Sequence, residues 1–225
     1  MTGDDETVGI RAPQWSAHAT GGVEIAADGD VPATGSDSRR RPDRERANRT
    51  DSVLFACQAA AMTPETEGIL LGLREARKLL LITVRGVTDA QLGERSTVSE
   101  LTLGGILNHL TRGERVWTRI LTDATGRTPD GMWDMTQYQA PEGATVTGLL
   151  AAYEEAARAT DEAASKADPD AEVPLPEAPW EPGVVHHWPV RRILLHLLQE
   201  TAQHTGHADI VREAVDGANS TARRD

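Results

Sequence analysis

The stretch Pro189-Val190-Arg191-Arg192-Ile193-Leu194-Leu195-His196-Leu197-Leu198-Gln199-Glu200-Thr201-Ala202-Gln203-His204-Thr205-Gly206-His207-Ala208-Asp209 decides the fold and where its chemistry lies. A first-turn proline opens it, and the helical pattern runs on to Asp216-Gly217, where the glycine ends it. Take about 100° per residue and set His196 at zero: His207 falls near about 20°, Glu200 near about 40° and His204 near about 80°. On the same wheel Ile193 and Val211 fall near about 60° and Leu197 near about 100°. Glu200 and His204 therefore sit inside the apolar stripe. A carboxylate on a core-facing stripe is costly unless it is paired or bound to a metal.

Working outward, three more helices precede this one. The spacing predicts a helix over about 64–85, with Ile69, Leu70, Leu73, Leu80 and Val84 near one face. Thr63 can cap it, Pro64 fits its first position, and Glu65 and Glu67 suit its dipole. Val87-Thr88-Asp89-Ala90-Gln91-Leu92 reads as a short capped turn of helix. A second helix is expected over about 102–123, with Leu103, Ile106, Leu107, Leu110, Trp117 and Leu121 at helical spacing, stopping before Gly126. Thr145 caps a third, over about 146–167, which stops before Pro169. The connection between the second and third carries Pro129, Trp133 and Pro141; that between the third and fourth is rich in proline around Trp180. No period-2 strand and no internal repeat are apparent. The expected fold is all-α, an up-down four-helix bundle whose two long loops lie over its ends and sides.

Composition places the rest of the chain. Hydrophobic residues are 39% and aromatics 4% of 225 residues, low for a chain that is folded throughout. Residues 1–61 account for the deficit. They scatter Gly, Pro, Asp, Ser and Thr, and the run Arg39-Arg40-Arg41-Pro42-Asp43-Arg44-Glu45-Arg46 falls in a segment with 7 Arg against 10 Asp and Glu. Such a segment is expected to be a solvated, disordered tail. The folded domain is expected over 62–217, with Met62 either the translation start or the first folded residue, and 218–225 as a flexible C-terminus. A net charge of −12 argues against a general nucleic-acid binder. No stretch is long and apolar enough to span a membrane, and the acidic N-terminus lacks a signal's apolar run. The expected location is cytoplasmic. The 21 Arg against 2 Lys read as codon bias of a GC-rich genome.

The predicted second helix supplies a third polar residue on an apolar face. His109 follows Ile106 by three and precedes Gly113 and Val116 on the same side, with Asn108 beside it and Glu114 five further on. His109, Glu200 and His204 together give two imidazoles and a carboxylate, a set that suits a divalent transition metal with an open position. Blander readings stay open at this point: a hydrogen-bonded core histidine, or a helix-stabilising Glu–His pair four apart. His196 and His207 lie at the edge of the stripe. His207 can orient a ligand, shuttle a proton or pack against the first helix. His186-His187 lie in the loop before the fourth helix, and Asp209 with Arg212 read as an i, i+3 surface or interhelix pair.

The block 62–217 resembles the DinB-like superfamily of four-helix bundles, closest to its mycothiol-dependent maleylpyruvate isomerase and thiol S-transferase branch. The resemblance rests on Leu101-Thr102-Leu103-Gly104-Gly105-Ile106-Leu107-Asn108-His109-Leu110 and on Leu194 to Asp209, with Glu114-Arg115-Val116-Trp117 and the Val87–Leu92 turn also fitting. It implies a zinc or nickel site built from a His of the second helix and two residues four apart on the fourth: here His109, Glu200 and His204. It also implies a homodimer.

The lone cysteine, Cys57, lies in the expected tail, so no disulfide framework exists and residues 62–225 hold no thiol nucleophile. Two routes to a nucleophile remain. Metal-activated water makes a hydrolase. An exogenous low-molecular-weight thiol such as mycothiol, made a thiolate by the metal, makes an S-transferase or thiol-dependent isomerase acting on an electrophilic small molecule. The resemblance favours the second, with His207 as the candidate catalytic residue and zinc as the expected metal, nickel or iron being the other choices. The competing class is a non-catalytic, stress-related metal-binding bundle.

Overall fold

The structure, a computed structural model, describes residues 62–223; the tail expected over 1–61, with Cys57, lies outside the described residues. Four helices carry the fold: α1 (Pro64–Thr83), α2 (Leu103–Asp123), α3 (Val146–Lys166) and α4 (Val190–Asp216). The caps are those the sequence offers. Thr63 accepts from the Thr66 amide, Thr102 from Gly105 and Thr145 from Gly148. Gly217 closes α4 at φ 79°, a left-handed conformation that glycine adopts without strain. Pro189 is the N-cap of α4, one place earlier than its expected position inside the first turn. A 3-10 turn spans Asp89–Gly93, with Gln91 reaching back to the Thr88 amide.

One expectation is corrected. The α3–α4 connection contains two strands, β1 (Glu172–Pro174) and β2 (His187–Pro189), paired antiparallel with Val173 opposite Trp188. Three residues per strand are too few to carry a period-2 signal, and prolines end both, which leaves no pattern to read. Val173 and Trp188 point into the core. A second correction concerns Asp209 and Arg212, which do not pair with each other. Arg212 is buried, holds Asp216 through two hydrogen bonds and donates to the carbonyls of Thr83 and Arg85. Asp209 accepts from Thr83 Oγ1 and from the amide and hydroxyl of Ser220. The C-terminal residues are described as far as Arg223, and Ser220 is buried against α4 through these bonds.

Around the bundle α1 packs on α4, α4 on α2 and α2 on α3, with lighter contact from α3 back to α1. Helices α1 and α2 therefore stand diagonally. The core has two hydrophobic clusters. One gathers Leu80, Val84, Leu103, Ile106, Leu107, Leu110, Tyr153 and Val211; the other gathers Leu70, Leu73, Ile120, Val173, Trp188, Ile193, Leu194 and Leu197. Every helix changes cluster near its middle, and at that level it turns polar: Arg77 on α1, Glu114 on α2, Thr160 on α3, Glu200 to Thr205 on α4. This polar waist contains the candidate site. No helix among the described residues is long and apolar enough to cross a membrane.

Candidate metal centre

His109, Glu200 and His204 come together at the waist, between α2 and α4, with one ligand atom from each within 4.8 Å of the others. Glu200 Oε2 lies 3.4 Å from His109 Nε2 and 3.7 Å from His204 Nε2. The imidazole rings meet edge to face, with centroids 4.6 Å apart. The helix period explains the arrangement: residues four apart on α4 project to the same side, and His109 faces them because α2 and α4 are neighbours. His109 is 8% exposed, and the other two are partly buried. The side chains thus have limited water and each other.

The electrostatics put two of the three side chains in forms that can bind a cation. The hydrogen bond with His109 holds the Glu200 carboxyl below the usual carboxylate range, against the opposing effect of burial. Burial, then the nearby His109, pushes His204 down to about 4. At neutral pH Glu200 is therefore an anion and His204 a neutral imidazole, as a metal requires. The donor chemistry fits a divalent transition metal. Ligand bonds of about 2.0–2.2 Å to such an ion separate neighbouring ligand atoms by roughly 3.5 Å, close to the spacings seen.

The α2–α3 connection, unassigned by sequence reasoning, forms a wall of the site. Its 3-10 turn Met135–Tyr138 stacks Tyr138 on the His109 ring, centroids 4.5 Å apart and planes 20° apart. Burial, then the Glu200 charge, raises the Tyr138 phenol above its usual pKa. Gln137 Oε1 lies 3.2 Å from His109 Nδ1. Helix α2 fastens this segment to itself. Asn108 donates to the carbonyls of Gln137 and Gln139. A β-carbon at Gly105 would lie 2.2 Å from the Tyr138 carbonyl oxygen, so only glycine admits the segment there. The Gly104-Gly105-x-x-Asn108-His109 text was visible in the sequence; what it docks was not.

The other candidates fall as follows. His207 Nδ1 lies 3.4 Å from His204 Nδ1, which places it directly behind a trio residue. His196 is not in the trio: its ring sits edge-on to Trp117 and Trp188, and burial lowers its pKa. His186 contacts exposed Glu181, and His187 pairs in β2 with Pro174.

Sequence reasoning also missed a second polar cluster at the waist. Arg77 donates Nε and Nη2 to the two carboxylate oxygens of Glu114, at 2.7 and 2.8 Å, and Nη1 to Asp161 at 2.8 Å. Thr160 donates to the same Glu114. The signal was present: Arg77 falls within the stripe Leu70, Leu73, Leu80, Val84, and Glu114 continues Leu103, Leu107, Leu110.

A helical bundle with a two-imidazole, one-carboxylate cluster in its core belongs to the class of bundle proteins that build metal sites between facing helices. The family of mycothiol S-transferases matches residues 69–217, and the chain belongs to that family. No curated protein matches the chain.

Proposed function

We propose that the protein is a metal-dependent thiol S-transferase that joins an exogenous low-molecular-weight thiol, mycothiol or one like it, to an electrophilic small molecule. The observation that carries this reading is the trio itself: two imidazoles and an anionic carboxylate converging between α2 and α4, in a member of the mycothiol S-transferase family. His109, Glu200 and His204 would hold the metal, zinc by preference. When bound there, the cation lowers the pKa of a thiol that reaches it, supplying a thiolate at neutral pH. The chain's own part is to bind, orient and exclude water. Glu200 balances charge, Tyr138 and the waist's apolar neighbours limit solvent, and the absence of cysteine from residues 62–225 leaves the incoming thiol as the sulfur source.

In the transfer, the thiolate sulfur forms a bond to the electrophilic carbon, and the leaving group departs with its bonding pair. For His207, the contact with His204 favours a positioning role over that of a catalyst. An imidazole that ligates through Nε2 carries its proton on Nδ1, and His207 Nδ1 is placed to accept it. The test is direct. Purified protein should carry stoichiometric divalent metal and conjugate a thiol to monochlorobimane, releasing chloride. Glu200→Ala should abolish both. Turnover unchanged in that variant would refute the assigned role. Metal without turnover with any thiol would favour the non-catalytic bundle, and thiol-independent ester cleavage the hydrolase.

A further inference from the structure

We propose that the α2–α4 groove beyond the trio is the subsite for the electrophile, and that it takes a planar aromatic ring bearing an anionic group. The inference deepens the transferase reading above and rests on it for the reaction, but not for the binding. Two sets of contacts join the helices here. His109 of α2 faces Glu200 and His204, and Trp117, two turns on, meets the His196 ring edge to face with centroids 4.5 Å apart. Gly113 lies midway between His109 and Trp117. At about 100° per residue it projects about 40° from each of them, toward α4. Gly113 is half-buried, yet a β-carbon there would meet nothing within 4 Å. The helix therefore leaves a notch beside the trio, where any other residue would project a side chain.

The far end of the notch is aromatic. Trp117 stacks on Trp188 of β2, centroids 5.4 Å apart and planes 3° apart, and His196 stands edge-on to both. A flat ring gains more from such a wall than its buried area alone supplies. The outer end carries a cation. Arg192 is exposed and lies over the Trp188 ring, 4.1 Å from its centroid. Its neighbour Arg191 is held by Glu65 and Asp170, whereas among the described residues no carboxylate pairs with Arg192. A guanidinium laid on an indole by its face keeps its N–H edge for an anion. Arg192 is eight residues from Glu200, roughly 12 Å along α4. A benzene ring with a carboxylate para to its reacting carbon covers that gap once the arginine side chain reaches inward. A small aliphatic electrophile would leave both the notch and the guanidinium unused.

The experiment uses the full-length protein as purified and three variants. Gly113→Leu fills the notch; leucine favours a helix and displaces no neighbour, so the change tests the notch and not the fold. Arg192→Gln removes the cation, and Arg119→Gln removes an exposed arginine elsewhere, as a charge control. Binding is read by calorimetric titration with two unreactive probes, 3,5-dinitrobenzoate and the neutral 3,5-dinitrobenzamide. The wild type should prefer the carboxylate by about threefold or more. Arg192→Gln should erase that preference, and Gly113→Leu should weaken both probes by at least about tenfold. Turnover is read with one thiol and two electrophiles, 4-chloro-3,5-dinitrobenzoate and 2-chloroacetamide. In each, the thiolate sulfur bonds to the carbon that bears chlorine, chloride departs with the bonding pair, and the thiol proton goes to solvent. The ratio of kcat/KM for the aromatic to that for the aliphatic electrophile should fall at least about tenfold in Gly113→Leu, about threefold or more in Arg192→Gln, and hold in Arg119→Gln. No binding of either probe, or equal affinity in the wild type and Gly113→Leu, overturns the subsite. A carboxylate preference that survives Arg192→Gln overturns the anionic group. If no electrophile is turned over, the transferase reading falls, and the binding titrations still decide the subsite.

Discussion

Two carboxylates sit at the same level of this bundle and have opposite surroundings. Glu114 is 1% exposed, and a guanidinium grips both its oxygens while Thr160 donates to one of them. Glu200 faces two imidazoles and is held below its usual pKa by one of them. The first cluster brings its own cation. The second gathers an anion and two lone-pair donors around a place suited to a cation from outside. Both are polar groups in an apolar stripe, so polarity in a core does not by itself mark a functional site. Whether the polar set is charge-complete does.

That contrast can be broken experimentally. The largest effect should come from Arg77→Met, which strands Glu114 and Asp161: about 3–5 kcal/mol of stability lost in denaturant titrations. If the loss is below about 1 kcal/mol, the Arg77 cluster is not the structural half of the pair. Next is acid. His204 titrates near 4 when folded and near its ordinary value of 6.5 when unfolded, so the unfolded chain binds more protons in that interval. Stability of metal-free protein should be full above pH 6.5, fall as pH drops toward 4, by up to about 3 kcal/mol, and gain no further His204 contribution to the fall below that. The depressed Glu200 acts in the same direction, its contribution being lost below the ordinary carboxylate range. Melting curves against pH check this, and His204→Gln should flatten them.

Gly105→Ala comes third. An exposed helical glycine usually gains stability on becoming alanine, but here the new carbon meets the Tyr138 carbonyl, and overpacking should cost about 1–3 kcal/mol while loosening the segment that carries Gln137. Thermal melts and zinc affinity would report both effects. The smallest stability change should be Glu200→Gln in metal-free protein, under about 1 kcal/mol, because that side chain is partly solvated. Its metal affinity should nonetheless collapse. A variant that leaves the fold intact and abolishes metal binding is the reverse of Arg77→Met, and the two together would establish the division of labour at the waist.

The helices were legible because each announces itself twice, by a cap and by a stripe: Thr63, Thr102 and Thr145 begin three of them, and Gly217 ends the fourth. The trio was legible because Glu200 and His204 interrupt a stripe at a spacing of four. The Arg77–Glu114 pair interrupts its stripes in the same way, yet the two residues are 37 apart on diagonal helices, and nothing local ties one to the other. Gln137 and Tyr138 lie in a segment with no period, and their place depends on a glycine pair and an asparagine across the fold. The β1–β2 hairpin was too short to leave a pattern. What was missed is what depends on how distant segments meet.

The diagonal order of the helices has one further consequence. The trio joins position 109 to position 200, so whatever the three side chains hold in common closes a circuit of 91 residues that includes all of α3 and both long connections. In this chain no disulfide can make such a closure. A link of that span restricts the unfolded chain by roughly 4–5 kcal/mol in the chain-entropy view. A metal held by the trio would make the site also a clasp. A chelator would remove more than reactivity, since it would free α3 and its flanking loops from a topological constraint, and protease cleavage of those loops should report its opening.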